Sequence, residues 1–430
     1  MLSQEERRKK LGDVLRVASG NFLEQYDFFV YGYYASYIGK TFFPADNAGV
    51  SLMLSLATFS VGFFMRPLGA IILGSYIDRH GRRKGLLLTL GLMAAGTLSI
   101  AITPSYETLG ILAPIIILTG RLLQGFSAGA ELGGVSIYLA EIATPGRRGF
   151  YTSWQSASQQ PAVVFAALIG VTLSAMLTTE QMTAWGWRIP LLIGCAIIPL
   201  ILFLRRSLTE TEEFQKMKHA FSATEVLRIV AENWRIVLTG AGMSVLTTTT
   251  FYLITAYTPT FGREALHLDA TGVLIVTLCV GISNFIWLPI GGHISDRIGR
   301  YPLLLLIPVL AILTAYPVMN WLADAPSFPK LLATVLLFSS YFGLYNGAMI
   351  PTLSEIMPAR VRTAGFSLAF SLATALFGGL TPLVSTALIQ QTGNRAAPAL
   401  WLTFAAVVSL SAVILSRRTV TAPEGAAALS

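Results

Sequence analysis

The sequence predicts an all-α integral membrane protein, with twelve transmembrane helices arranged as two six-helix bundles in parallel repeat. Three observations carry that expectation. The chain is 54% hydrophobic and only 12% charged, with a mean hydropathy of +0.64, whereas soluble domains carry about 25% charged residues. Apolar runs of about 20 residues, long enough to cross a ~30 Å hydrocarbon core as helices, recur along the whole chain. Two polar motifs of the first half return at matching places in the second.

In chain order, MLSQEERRKKLGDVLR is a charged, amphipathic lead; without a short apolar core and a small-residue cleavage site, it is not expected to be a signal peptide. Six spans follow near 17–39, 50–77, 86–103, 109–142, 150–177 and 187–205. Six more lie near 235–257, 272–294, 302–322, 331–356, 364–390 and 397–416. Between the sets stands RRSLTETEEFQKMKHAFSATEVLRIVAENWR, the one long polar segment. Residues 1–204 are therefore expected to form the first bundle, 205–234 a linker with helical character, and 235–430 the second bundle and tail. Cys195 and Cys279 both fall inside spans and share no loop, so free thiols are expected.

The net charge of +8 reflects where the basic residues lie. With the N-terminus inside, the cytoplasmic segments hold Arg7, Arg8, Lys9, Lys10, Arg16, Arg79, Arg82, Arg83, Lys84, Arg147, Arg148, the linker set, Arg297, Arg300, Arg360, Arg362, Arg417 and Arg418. The opposite side holds only Lys40, Arg188, Arg263, Lys330 and Arg395. Basic residues concentrate on the cytoplasmic side of membrane proteins, so both termini are expected there, and no nucleic-acid partner is expected.

The repeat is carried by GSYIDRHGRRKG (74–85) after the second span and GGHISDRIGRYP (291–302) after the eighth, both with G-x-x-x-D-R-x-G-R. EIATPGRRG (141–149) and EIMPARVRTAG (355–365) follow the fourth and tenth spans. Each second copy begins a little over 210 residues after the first, 291 against 74 and 355 against 141. Asp78, Arg79, Arg82, Asp296, Arg297 and Arg300 are expected to gate, because an acid beside arginines and a helix N-terminus closes only when facing helices meet.

These features resemble the major facilitator superfamily. Within it, GNFLEQYDFF (20–29), FFMRPLGA (63–70), RLLQGFSAGAELGG (121–134), WGWRIP (185–190) and RRSLTETEEF (205–214) are similar to the metabolite:proton symporter family. SWQSASQQ (153–160), TTTTFY (247–252), SNFIWLPIGG (283–292) and YNGAM (345–349) sit closest to its citrate and tricarballylate proton symporters. The resemblance covers nearly the whole chain. It implies a carrier of the bacterial cytoplasmic membrane, working by alternating access on a tricarboxylate; a monomer is expected.

The residues themselves support that expectation. Ionisable groups at membrane depth are few: Glu24 and Asp27 on span one, Arg66 on span two, Arg121 and Glu131 on span four. An ionised side chain at a helix centre costs roughly 2.5–3.5 kcal/mol, so the two acids on span one must be neutralised, paired or hydrated. Glu24, Asp27 and Tyr31 fall at i, i+3 and i+7, one stripe facing the bundle interior. Glu24, Asp27 and Glu131 are the candidate ion-coupling acids, with a permanent pair to Arg66 or Arg121 as the structural alternative for Glu24 or Asp27. Glu24 is the acid favoured for titration and Asp27 the one favoured for pairing. Arg121, Gln124, Ala128 and Glu131 form a second stripe; Arg121 and Glu131 lie about 15 Å apart along it and cannot be one salt bridge. Arg121 is the candidate for a substrate carboxylate, since a guanidinium is forked and always charged. Arg66, before Pro67, is read as a structural or gating residue.

A tricarboxylate needs further polar groups. The candidates are Asn21 and Gln25 on span one, Gln124 on span four, Gln155, Ser158 and Gln159 on span five, Tyr252 on span seven, Asn284 on span eight, and Tyr345 and Asn346 on span ten. No histidine lies at midplane, no cluster has metal-ligand spacing, and no Walker loop is present, so neither a metal nor any other cofactor is expected and an ion gradient is expected to drive the cycle. No nucleophile, base and orienter can be assembled, which argues against an enzyme. A membrane receptor is disfavoured because no soluble signalling segment accompanies the spans. An inside-negative potential opposes a trianion by roughly 7 kcal/mol per 100 mV, which co-transported protons would cancel. Sodium is the rival coupling ion, and a dicarboxylate or osmolyte the rival substrate; Arg121 speaks against the osmolyte.

Overall fold

The computed structural model describes residues 21–80, 82–129, 135–137, 139–140, 143–206, 223–357 and 362–420, and every regular element among them is helical. Hydrocarbon offers the backbone no water, so each span must pair its own N–H and C=O groups. The first span is α1 (Asn21–Tyr33) and α2 (Ala35–Phe42), followed by α3 (Ala48–His80), α4 (Arg82–Ile102) and α5 (Leu112–Ala128). The fifth span is α6 (Arg148–Ala157) with α7 (Gln160–Met176), and the sixth contains α8 (Arg188–Arg206). Spans seven to ten are α9 (Trp234–Ile254), α10 (Ala270–Ile298), α11 (Arg300–Asp324) and α12 (Phe328–Ile356). The eleventh is α13 (Arg362–Ala373) with α14 (Thr381–Thr392), and the twelfth is α15 (Pro398–Val420). A short helix, Ala223–Glu232, leads into α9.

Among the described residues, eight helical runs are long and apolar enough to cross a membrane, and the bent pair Thr179–Gly186 and Arg188–Pro199 makes a ninth. Leu87–Ile102 and Leu112–Ala128 are shorter apolar helices. With the broken first span, these occupy the twelve positions expected from the sequence. Many large apolar side chains are exposed, among them Ile115, Leu238, Leu313 and Phe404. The interior, by contrast, holds many Ser, Thr, Gln and Asn, an arrangement suited to a lipid surround.

The polar motifs after spans two and eight are tighter than loops. α3 runs to His80 and α4 begins at Arg82, while α10 runs to Ile298 and α11 begins at Arg300. Gly299 alone turns the second corner, at φ +88°, a conformation that costs glycine little and other residues more.

Close helix packing repeats between the halves. A Cβ on Gly125 of α5 would stand 1.6 Å from the Gly62 carbonyl oxygen of α3. In the second half a Cβ on Gly291 of α10 would stand 2.3 Å from the Gly343 carbonyl oxygen of α12. Small residues let backbones touch, the usual source of helix association where lipid removes the hydrophobic driving force.

The halves meet at both ends and in the middle. At the end carrying the repeated motifs, the Asp296 carboxylate accepts the backbone N–H groups of Gly149 at 2.8 Å and Phe150 at 2.9 Å, capping the start of α6 from across the interface. Arg300 donates to the same carboxylate at 2.7 Å and lies 3.6 Å from Glu355. At the opposite end Arg263 donates to Ser36 at 3.5 Å and Gln390 to the Gly49 carbonyl at 3.4 Å. Between them, Ser60 of α3 donates to the Gly379 carbonyl at 2.7 Å.

Asp296→Ala removes the cap on α6 and one partner of Arg300. The Gly149 and Phe150 amides should then exchange hydrogen faster than in the parent protein, read by mass spectrometry on a peptide spanning 148–157; unchanged exchange would mean the cap does not hold this end shut.

Candidate functional site

The polar interior of the first half gathers on α1, which lies beside α3 and α8. Glu24 and Asp27, one turn apart, take different partners. Arg66 of α3 places Nη2 3.5 Å from Glu24 Oε1, and both side chains are almost wholly buried. Among the described residues no cation stands in direct ion-pair contact with Asp27. Its Oδ2 accepts a short hydrogen bond from the Thr97 hydroxyl of α4, and its Oδ1 has no hydrogen-bond partner.

Arg121 is fully buried on α5. Its Nη1 donates to Gln124 Oε1 at 2.7 Å and its Nη2 to the Phe59 carbonyl at 3.3 Å, while its Nε has no partner. Gln124 Nε2 donates in turn to Thr97 Oγ1 at 3.0 Å. A hydrogen-bonded line thus runs from Arg121 through Gln124 and Thr97 to Asp27.

Aromatic rings enclose both arginines. The Arg66 and Arg121 guanidinium carbons each lie 4.5 Å from the Phe28 ring centroid. Phe63 faces Arg66 at 4.7 Å, and Tyr31 and Phe59 face Arg121 at 4.6 and 5.1 Å. Ring quadrupoles favour a cation over the face, and such contacts strengthen when desolvated. Tyr252 of α9 closes the cage from the second half, packing edge-on to Phe63 at 5.0 Å and lying within electrostatic range of Arg66, Glu24 and Arg121.

The other expected residues spend their hydrogen bonds elsewhere. Gln25 is buried and its Oε1 accepts none. Gln155 accepts from Ser156 at 2.7 Å, Ser158 turns back onto the Gln155 carbonyl at 2.9 Å, and Gln159 is buried beside them. Asn284 crosses the interface to Gln160 at 3.1 Å. Tyr345 donates to the Met243 carbonyl at 2.8 Å; Asn346 accepts from Thr247 at 3.1 Å and keeps an unpartnered Nδ2. Of the gating set, Asp296 and Arg300 hold the interface and Arg297 is exposed. Asp78, Arg79 and Arg82 lie at the helix ends of α3 and α4, with side chains outside the described residues, as is the Asn21 side chain; Glu131 lies outside them altogether.

Sequence reasoning did not single out Thr97 or the rings of Phe28, Phe59 and Phe63. A threonine in a span is ordinary and usually bonds its own backbone, as Thr97 also does toward the Met93 carbonyl at 3.1 Å.

The Major Facilitator Superfamily pattern matches residues 17–382. The chain is 59% identical over 409 residues to a citrate-proton symporter of Salmonella typhi, covering 95% of this chain and 94% of that one. It is 57% identical over 403 residues to the citrate-proton symporter of Klebsiella pneumoniae, covering 94% and 91%. In fold it is similar to the crystal structure of a D-xylose-proton symporter, with a TM-score of 0.74 at 17% identity over 93% of this chain and 97% of that one.

Removing one partner of a buried ion pair leaves a buried charge, which costs about 3–5 kcal/mol. Glu24→Gln should therefore lower the Tm of the purified protein more than Asp27→Asn does, measured side by side in one detergent. The reverse order would mean that Asp27, not Glu24, carries the stabilising pair.

Proposed function

The chain belongs to the Major Facilitator Superfamily, and from that premise we propose that it imports citrate, or a close tricarboxylate such as tricarballylate, by proton symport with alternating access. The high identity to two citrate-proton symporters supports the substrate. The observation that carries the coupling is the asymmetry on α1: Glu24 is paired with Arg66, while among the described residues Asp27 takes its hydrogen bond from the neutral Thr97 hydroxyl.

Charge explains why that asymmetry suits symport. With both acids ionised, Glu24 and Asp27 balance Arg66 and Arg121. A proton on Asp27 leaves the cage with one positive charge, centred on Arg121, and a citrate carboxylate then restores neutrality. Each ligand makes the site better for the other, and linkage requires that the effect be reciprocal. Asp27 is thus the proton carrier in this reading, and Arg121 the anchor for a substrate carboxylate. Gln25, Gln124, Gln155, Gln159, Tyr252, Asn284, Tyr345 and Asn346, with Asn21 and Ser158, complete the cavity when the halves part.

The gate is the Asp296–Arg300 cluster, with Asp78, Arg79 and Arg82 as its first-half counterpart. The proposed topology places these motifs and both termini in the cytoplasm, in the bacterial inner membrane, with a bundle at 1–204, a linker at 205–234, a second bundle at 235–430 and one chain per transporter. Sodium is the rival coupling ion, and separately imposed gradients distinguish the two.

Labelled citrate taken up by proteoliposomes tests the reading. An inward proton gradient should drive accumulation, a sodium gradient alone should not, and tricarballylate should compete better than 2-oxoglutarate or proline. Arg121→Ala should lose citrate binding, and Asp27→Asn should exchange citrate without accumulating it. No accumulation under any gradient, with no competition, would overturn the proposal.

A further inference from the structure

The line from Arg121 to Asp27 has a direction, and chemistry dictates it. A guanidinium only donates hydrogen bonds, so the Gln124 amide must turn its oxygen to Arg121, as it does at 2.7 Å. The amide nitrogen is thereby aimed at Thr97 Oγ1, 3.0 Å away, and a nitrogen can only donate. The Thr97 oxygen is then an acceptor toward Gln124, and its single hydrogen is left for one of two acceptors, Asp27 Oδ2 or the Met93 carbonyl.

We propose that Thr97 and Gln124 form a relay through which occupancy of Arg121 by a carboxylate is read at Asp27, with Thr97 as a positioning residue for the proton. The inference rests on the proton-symport reading above. With Arg121 free of substrate, the amide is fixed, and Thr97 donates to an ionised Asp27. When a substrate carboxylate takes Arg121 Nη1, Gln124 is released and its amide can turn, presenting Oε1 to Thr97. The Thr97 hydrogen then has a competing acceptor, ionised Asp27 loses its donor, and the protonated acid becomes the better state. The proton comes from water admitted on the open side and adds to the Asp27 carboxylate. Its own O–H then donates to Thr97 Oγ1, whose hydrogen turns to Gln124 Oε1. No covalent bond of Thr97 breaks; its hydroxyl only rotates.

The surroundings leave Thr97 as the group that touches Asp27 directly. The titratable or charged groups facing Asp27 are Arg121 from α5, Cys195 from α8 and Tyr26 from α1 itself. Tyr26 is committed to the Pro190 carbonyl at 2.7 Å. On the α8 side a Cβ at Gly194 would come 2.8 Å from Asp27 Oδ1, so only glycine leaves that oxygen room.

The test is the citrate Kd of the purified full chain, measured by calorimetry across pH, for the parent, Thr97→Val, Thr97→Ala, Thr97→Ser and Asp27→Asn. In the parent, affinity should fall as pH rises through loss of the Asp27 proton. A hydrogen bond to an ionised group is about twice as strong as one between neutral groups, so losing the hydroxyl penalises the ionised acid more than the protonated one. Thr97→Val, which keeps the side-chain shape, and Thr97→Ala should both hold the proton to higher pH, moving the fall by about one pH unit, a tenfold change in proton affinity. Thr97→Ser should restore the parent profile. A Val or Ala profile equal to the parent's, or a Ser profile shifted as far as theirs, overturns the relay. Persistence of the full pH dependence in Asp27→Asn would instead overturn the proton-site reading on which it rests.

Discussion

Two buried arginines and two buried acids share one aromatic cage, and a single direct ion pair, Glu24 with Arg66, is formed among them. The rest of the centre follows from that pairing. Arg66 neutralises Glu24 and leaves Asp27 to a neutral hydroxyl and Arg121 to an amide, a carbonyl and three rings. An ionised carboxylate held by one neutral donor in low dielectric is poorly compensated, so the cage is a place where a proton and an anion can arrive together. A second ion pair between Asp27 and Arg121 would satisfy both charges and remove the reason for either ligand to bind.

The scaffold keeps that arrangement buried and defined. Glycine contacts draw α5 against α3, which bear Arg121 and Arg66 on neighbouring faces; Gly62 also sits 3.4 Å, by its would-be Cβ, from Arg121 Nη2. The corresponding contact of α10 with α12 stiffens the second half. Between the halves, apolar packing such as Phe63 against Tyr252 and Phe29 against Phe251 is joined by polar links: an acid capping a helix start at one end, and one side-chain to side-chain and one side-chain to backbone bond at the other. The polar end contacts can be exchanged for water, as bodies that rock against each other require.

Much of this was legible in the sequence. Apolar runs and duplicated motifs located the spans, and the i, i+3, i+7 stripe placed Glu24, Asp27 and Tyr31 on the interior side. The second stripe put Gln124 within reach of Arg121, and the two are hydrogen-bonded. What periodicity does not carry is which arginine meets which acid. Both acids lie on one face of α1, and the choice depends on how α1 crosses α3 and α5; a pair with Arg66 or Arg121 is the expected alternative for either acid and is favoured for Asp27, and it is Glu24 that Arg66 meets while Asp27 takes Thr97. Thr97 was invisible for a related reason: its partners come from two other helices, and its local pattern is that of any threonine in a span. Tyr345 and Asn346 stood out as costly polar groups; Tyr345 is met by the Met243 carbonyl, and Asn346 only in part, by Thr247, with its Nδ2 unpartnered.

The central claim is that Asp27, and not Glu24, takes up and releases the proton. Infrared difference spectroscopy of the protein titrated between acid and alkaline pH reads that directly through the carbonyl stretch of a protonated carboxyl group. The account predicts a pH-dependent band that vanishes in Asp27→Asn and survives in Glu24→Gln. A band that survives Asp27→Asn and vanishes in Glu24→Gln would contradict it.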